Sequence, residues 1–125
     1  MYAKAMIFFA NLSLAKVLAY GILLAVVIEA GTIGLRYGID MQSTRDTGFI
    51  ATCTCGIRIH HGYIGVLLIP LAWCFPLGQR HALWIAAVGL ILSDLAHHFL
   101  VLWPIEGSPQ FDLVYPQHPY WKQPE

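Results

Sequence analysis

Charged residues are scarce in this sequence: Asp, Glu, Lys and Arg make up only 11% of 125 residues, whereas 58% are hydrophobic. Soluble domains carry about 25% charged residues, so the composition excludes an ordinary soluble enzyme. The seven basic and seven acidic residues cancel, which argues against a basic nucleic-acid-binding domain. Three cysteines are too few for a disulfide scaffold. With a mean hydropathy of +0.62, the composition predicts one integral membrane domain over residues 1–125.

Three apolar runs are long enough to form membrane helices, which need about 20 residues to cross the hydrocarbon core. They cover residues 17–35, 57–77 and 82–103. Residues 1–13 either extend the first run or form a short interfacial amphipathic helix. Residues 104–125 are rich in proline and aromatic side chains, and we expect an irregular tail that lies on the membrane surface or on a partner. The sequence therefore predicts an all-α protein with three transmembrane helices.

Charges are distributed unevenly between the two ends of the predicted helices. One end carries only basic residues, namely Lys4, Lys16 and Arg80. The other end carries all seven acidic residues together with Arg36, Arg45, Arg58 and Lys122. Because basic residues favour the cytoplasmic side of a plasma or inner membrane, we expect the acid-free end to be cytoplasmic. The stretch up to Ala30 also has the pattern of a signal peptide, and we interpret it as a retained helix.

Ionisable residues occur inside the predicted spans, where they are costly and usually functional. Two histidines open the second span, a carboxylate and two histidines lie near the end of the third, and the first contains a glutamate. These residues are Glu29, His60, His61, Asp94, His97 and His98. A hairpin turn near Gly78 places position 60 level with position 97, with the aspartate about one turn deeper. The sequence therefore predicts that four imidazoles and two carboxylates meet in one layer beneath the polar loop at residues 37–56.

Imidazole and carboxylate groups together are typical ligands of zinc, iron, copper or manganese. Three further residues are expected to orient these ligands: Arg58, Tyr63 and Ser93. Cys53 and Cys55 are candidate soft ligands for copper or zinc. The layer predicts a membrane metalloprotein with redox or hydrolytic chemistry on a lipid-soluble substrate, or with metal storage and no turnover. In another interpretation, Glu29 forms a structural ion pair with Arg36 or Arg58.

A haem b site is an alternative use of the same layer. Axial ligation requires one histidine from each of two facing helices, and the available residues are His60, His61, His97 and His98. Gly65 and Gly89 would make room for the porphyrin. The size and the three-helix layout resemble the membrane anchors of succinate dehydrogenase.

The eight residues from His61 to Leu68 are similar to the His-Arg-x-Ser/Thr-Gly stretch of that family, without its arginine and its hydroxyl residue. This resemblance implies an anchor subunit of a respiratory-type complex that binds haem b, a quinone or both. A third alternative is a non-catalytic accessory subunit of a larger membrane complex. Under each interpretation we expect a second copy of the chain or a larger complex to shield the polar layer.

Overall fold

A computed structural model describes residues 2–41 and 49–115 of the chain. Its α-helices are α1 (Tyr2–Ala10), α2 (Leu14–Ile33), α3 (Ile50–Cys53), α4 (His61–Leu71), α5 (Leu77–Leu95) and α6 (Trp103–Glu106). Two π-helical segments, Gly34–Gly38 and Ala96–Leu102, continue α2 and α5, and a 3-10 turn at Ala72–Cys74 continues α4. The described residues contain no β-strand beyond an isolated bridge between Ile57 and Val114. The prediction of an all-α protein is confirmed.

Two helices in the described residues are long and apolar enough to cross a membrane. They are Leu14–Gly38, with 25 residues and a mean hydropathy of 2.0, and Leu77–Glu106, with 30 residues and a mean hydropathy of 1.9. These helices contain the first and third predicted spans. The second predicted span, 57–77, corresponds to a shorter apolar helix at His61–Cys74, which falls below the length of about 20 residues expected of a spanning helix.

The second helix is short because both of its ends are limited by local structure. His60 has an extended backbone (φ −88°, ψ 140°), and the N–H of Arg58 donates to the carbonyl of Leu113 (2.9 Å), so the helix cannot begin earlier. Near the other end, Pro70 has no N–H to donate. The helix then tightens into the 3-10 turn at Ala72–Cys74.

The N-terminal helix α1 is separate from the first long helix. Ser13 caps the start of α2, where its hydroxyl accepts a backbone N–H of the first turn (3.4 Å). α1 lies against the start of α5, where His81 Nδ1 donates to the carbonyl of Phe9 (2.9 Å). Gln79 Nε2 also donates to the hydroxyl of Tyr2 (2.6 Å). Residues 1–13 therefore do not extend the first span.

Helix α5 packs closely against α2 and α4, and glycines permit the contact. A Cβ atom added at Gly65 would lie 2.7 Å from the carbonyl oxygen of Ala87. One added at Gly89 would lie 2.8 Å from Leu24 Cδ2. Residues without a bulky side chain let two helix backbones approach this closely. The expectation that these two glycines make room for a porphyrin is wrong, because neighbouring helices already occupy that space.

The chain folds back after α6 and covers the start of α4. Gly107 has a left-handed backbone (φ 74°), and its N–H donates to the carbonyl of Trp103 (3.0 Å), which ends the helix. The N–H of Tyr115 donates to the carbonyl of Gly56 (2.8 Å). The described part of the tail therefore packs on the protein itself. Residues 116–125 of the predicted tail, and residues 42–48 of the polar loop, lie outside the described residues.

Candidate metal centre

Three buried side chains meet where α4 begins and α5 ends: His60, Asp94 and His98, which are 4%, 2% and 7% exposed. His60 Nδ1 lies 3.0 Å from His98 Nε2. Asp94 Oδ1 lies 3.7 Å from His60 Nδ1 and 3.8 Å from His98 Nε2. We call these three residues the triad. Their nitrogen and oxygen atoms are close enough together to hold one metal ion.

Backbone carbonyls fix the orientation of both imidazoles. His60 Nε2 lies 3.1 Å from the carbonyl of Asp112. His98 Nδ1 lies 2.6 Å from the carbonyl of Pro109. A carbonyl can only accept, so in the neutral rings these nitrogens carry the hydrogen, and His60 Nδ1 and His98 Nε2 present lone pairs to each other. Metal-binding histidines are commonly oriented by a carbonyl in this way.

The carboxylate of Asp94 adds a third acceptor atom to the same space. Its Oδ1 is buried and has no hydrogen-bond partner among the described residues. Two facing imidazole lone pairs require either an extra proton on one ring or a cation between them. The separations of 3.7 and 3.8 Å from Asp94 Oδ1 are too long for a hydrogen bond to either ring. A cation that contacts all three atoms satisfies each of them.

The three acceptor atoms have the spacing of a coordination site. The point equidistant from them lies about 2.0 Å from each, since a triangle with sides of 3.0, 3.7 and 3.8 Å has that circumradius (the product of the sides divided by four times the area). Zinc binds imidazole nitrogen at about 2.0–2.1 Å and carboxylate oxygen at about 2.0–2.2 Å. The distances among the three atoms therefore match those around one small divalent ion.

His61 lies beside the triad, on the carboxylate. Its Nδ1 is 3.2 Å from Asp94 Oδ1, and its Nε2 is 2.9 Å from the hydroxyl of Ser93. The Ser93 hydroxyl can donate either to His61 Nε2 or to the carbonyl of Leu90 (3.4 Å), so the tautomer of His61 decides which of its ring nitrogens carries the hydrogen. The close approach depends on Gly62, where an added Cβ would lie 2.7 Å from Asp94 Oδ2.

The other two predicted ligands, Glu29 and His97, form a separate pair. His97 Nδ1 lies 3.0 Å from Glu29 Oε1. Adjacent residues on a helix point roughly 100° apart, so His97 faces α2 while His98 faces the start of α4. Arg36 binds Glu106 instead of Glu29 (Nη2–Oε1 2.9 Å). The six predicted ionisable residues therefore lie close together but divide into two groups.

The groups expected to orient the ligands differ in what they contact. Ser93 binds His61, as described above. The ring of Tyr63 packs edge-on against His60 (centroids 5.3 Å), and its buried hydroxyl has no hydrogen-bond partner in the described part of the chain. Arg58 lies 3.6 Å from Asp112 Oδ2. The two candidate soft ligands are exposed and lie outside the triad: Cys53 and Cys55.

Sequence reasoning did not identify the contribution of the tail. Pro109 and Asp112 bind the triad through backbone carbonyls, which any residue type provides, so their identity gives no signal. Phe111 stacks on the ring of His60 (centroids 4.5 Å, 28°) and meets His98 edge-on (5.0 Å, 81°). The tail therefore forms one wall of the site, and the aromatic residue was its single visible indication in the sequence.

Two other structural features of the site could not be read from residue patterns. Residues 96–102 are π-helical, and such wider turns often occur at functional sites. A cavity of about 380 Å³ adjoins the triad. Its lining includes two guanidinium side chains, those of Arg36 and Arg58. The site therefore combines buried ligand atoms with space for a further molecule.

Comparison with known proteins gives no relative from which a function can be transferred. No protein-family model, no curated protein and no solved structure matches this chain. Function must therefore be inferred from the chemistry of the triad and from its surroundings.

Proposed function

We propose that this chain is a small integral membrane metalloprotein that binds one divalent transition ion through His60, Asp94 and His98. The proposal is carried by one observation, the convergence of three buried acceptor atoms on a point about 2.0 Å from each. Zinc is the first candidate, because the ligand separations of 3.0–3.8 Å bracket the ~3.4 Å of a tetrahedral zinc site. Iron(II) is the second candidate, because two histidines and one carboxylate also form its usual ligand set.

The proposed chemistry is metal-assisted hydrolysis of a lipid-soluble substrate, or its oxidation by dioxygen if the ion is iron. Catalytic zinc sites have three protein ligands and an open position for water or substrate. The triad supplies three ligands, and the adjoining cavity of about 380 Å³ supplies room at the open position. A bound ion would lower the pKa of a coordinated water and so generate a nucleophile near neutral pH.

Membrane integration is supported by the outer surfaces of the helices. Large hydrophobic side chains remain strongly exposed along α2 and α4, including Val26 and Val27 (both 60%) and Leu67 (68%). Exposed apolar surface on this scale indicates contact with lipid or with another protein. We propose that the two long helices span the bilayer in the same direction, that α4 returns the chain between them, and that the metal-binding end faces away from the cytoplasm. A second copy or a larger complex would cover part of the remaining surface.

Haem b is the less favoured alternative, because the imidazoles that face each other are too close. Two axial nitrogens require a separation of about 4 Å, twice a metal–nitrogen distance of about 2.0 Å, with the porphyrin between the rings. His60 Nδ1 and His98 Nε2 are 3.0 Å apart, and their ring centroids are 4.7 Å apart in an edge-on arrangement.

Metal content tests the proposal. The protein, purified in mild detergent without added metal, should contain one zinc or iron per chain by elemental analysis, with no Soret band in its absorption spectrum. Asp94→Asn should reduce the metal to background. Asp112→Asn is the matched control, because the backbone of Asp112, and not its side chain, contacts His60. A metal-free wild-type protein, or a Soret band, would overturn the proposal.

A further inference from the structure

A second cavity, of about 690 Å³, lies between α2 and the end of α5. We call it the α2–α5 groove. Its lining is apolar, with side chains such as Val26, Leu95 and Phe99, apart from the one carboxyl group of Glu29. A charged side chain in such surroundings is costly and is usually functional.

The carboxyl group of Glu29 is only half satisfied. Its Oε1 lies 3.0 Å from His97 Nδ1, whereas its Oε2 is buried and has no hydrogen-bond partner among the described residues. Protonation does not remove this deficit. A proton on Oε2 would lack an acceptor, and a proton on Oε1 would leave Oε2 as an unpaired carbonyl oxygen. Since unpaired buried polar atoms are unfavourable, a hydrogen-bonding partner from outside the described chain is expected at this atom.

Other apolar grooves provide an internal comparison. One of about 400 Å³ is lined by Phe8, Phe9, Tyr20, Leu23, Leu24, Val27 and Ile85. Another of about 210 Å³ is lined by Leu14, Val17, Leu18, Ile69, Trp84 and Val88. Their described lining residues carry no charge, as expected of surfaces that contact acyl chains alone. The α2–α5 groove differs from both by its carboxyl group.

We propose that the α2–α5 groove binds a membrane-dissolved amphiphile with a long apolar body and a single hydroxyl group, which donates to Glu29 Oε2. Its volume lies within the range of about 300–1,000 Å³ typical of ligand sites, which are mostly apolar with a few orienting polar groups. The ligand head would lie beside His97, which also lines the cavity next to the triad. The inference does not rest on the proposed metal site.

Photolabelling of the full chain in lipid nanodiscs tests this proposal. The probes are a diazirine-bearing hexadecan-1-ol and its methyl ether, which share the apolar body but differ in the donor. Mass spectrometry of the labelled peptides should show roughly tenfold more alcohol than ether in the α2–α5 groove, as one hydrogen bond to a charged group provides. In the groove around Tyr20 the two probes should label equally.

Variants of the carboxyl group separate its role from general lipid contact. Glu29→Leu should abolish the preference for the alcohol, whereas Glu29→Gln, which keeps an acceptor oxygen, should retain much of it. Tyr20→Phe in the neighbouring groove is the control and should change nothing. If Glu29→Leu does not fold, the ratio of alcohol to ether labelling in the two wild-type grooves decides the question.

Two results would overturn the proposal. One is equal labelling of both grooves by both probes. The other is cross-linking through the α2–α5 groove to a second copy of the chain, which would show that a protein helix covers it. Removal of metal with a chelator should leave the preference intact. A protein that contains no metal but prefers the alcohol would therefore contradict only the metal site.

Discussion

His97 and His98 are neighbours in sequence and are nearly equally buried (8% and 7% exposed). Their rings nevertheless contact different groups. His97 faces a single partner, Glu29, and a donor meets an acceptor at 3.0 Å. His98 faces His60 and Asp94, and acceptors converge on it. The pair of His97 and Glu29 is joined by one hydrogen bond, which leaves Oε2 of Glu29 without a partner among the described residues. The acceptor atoms of the triad face one another and need an extra proton or a cation between them.

The comparison shows that clustering of histidines does not by itself define a metal site. What separates the two groups is where the lone pair of each ring lies. In His98 the carbonyl of Pro109 binds Nδ1, so Nε2 directs its lone pair towards His60 and Asp94, whereas among the described residues His97 does not belong to that cluster of ligand atoms. The direction of the lone pairs, and not the count of imidazoles, distinguishes ligands from hydrogen-bonding partners.

The sharpest test of this contrast is to remove each histidine in turn. His98→Ala should weaken metal binding more than about 100-fold, beyond the 10–100-fold loss typical of a group that only orients a ligand. His97→Ala should change the affinity by less than about tenfold. Competition with a chromogenic chelator measures both. Equal losses in the two variants would show that the six residues form one site after all.

Acidification should release the metal. Imidazole binds a metal only when it is neutral, so protons compete with the ion for the two rings and the affinity falls as the pH drops. Each histidine ligand can contribute at most about a tenfold loss of affinity per pH unit, and we expect a loss of about tenfold or more between pH 7.5 and pH 5.5. Equilibrium dialysis at a series of pH values measures this slope. An affinity independent of pH in that range would contradict histidine ligation.

Two glycines offer a smaller and more specific perturbation. Gly62→Ala would press a Cβ against the carboxylate of Asp94, and overpacking of this kind costs about 1–3 kcal/mol. We expect a lower free energy of unfolding and weaker metal binding. Gly31→Ala is the control, because an added Cβ there meets nothing within 4 Å. Denaturant titration in detergent compares the two variants, and an unchanged Gly62→Ala protein would contradict the close approach.

The smallest expected effect concerns the tail. Phe111→Ala removes the ring that stacks on His60, a contact worth about 0.5–1.5 kcal/mol. The metal should be lost to a chelator up to about tenfold faster than from the wild type. Leu113→Ala, at a residue that is 65% exposed, should leave the release rate unchanged. Identical rates for both variants would show that the tail does not enclose the site.

Much of the fold could be predicted because hydropathy reports burial in lipid or in a core. The two long helices, Leu14–Gly38 and Leu77–Glu106, correspond to apolar runs. The second run was predicted as longer than the helix that it contains. Its first residues are polar and pair with the tail, through the N–H of Arg58 and the carbonyl of Leu113. Such long-range backbone pairing has no signature in local hydropathy.

The sequence indicated which ionisable residues lie close together, but it did not indicate that they form two separate groups. Hairpin register correctly placed His60 near the end of α5, where it meets His98. It could not separate His97 from His98, since that depends on the rotation of α5 between its two neighbours. The contacts of the Pro109 and Asp112 carbonyls with the triad could not be predicted either, because every residue type has the same backbone carbonyl.

X-ray absorption at the metal edge of the purified protein tests the central claim most directly. We expect nitrogen and oxygen neighbours at about 2.0–2.1 Å from the metal, with the outer scattering of imidazole rings. The His98→Ala variant should bind no metal and should therefore show no such spectrum. A sulfur neighbour at about 2.3 Å would place the ion on Cys53 and Cys55 instead. Either that result or a protein that holds no metal would contradict the triad as the binding site.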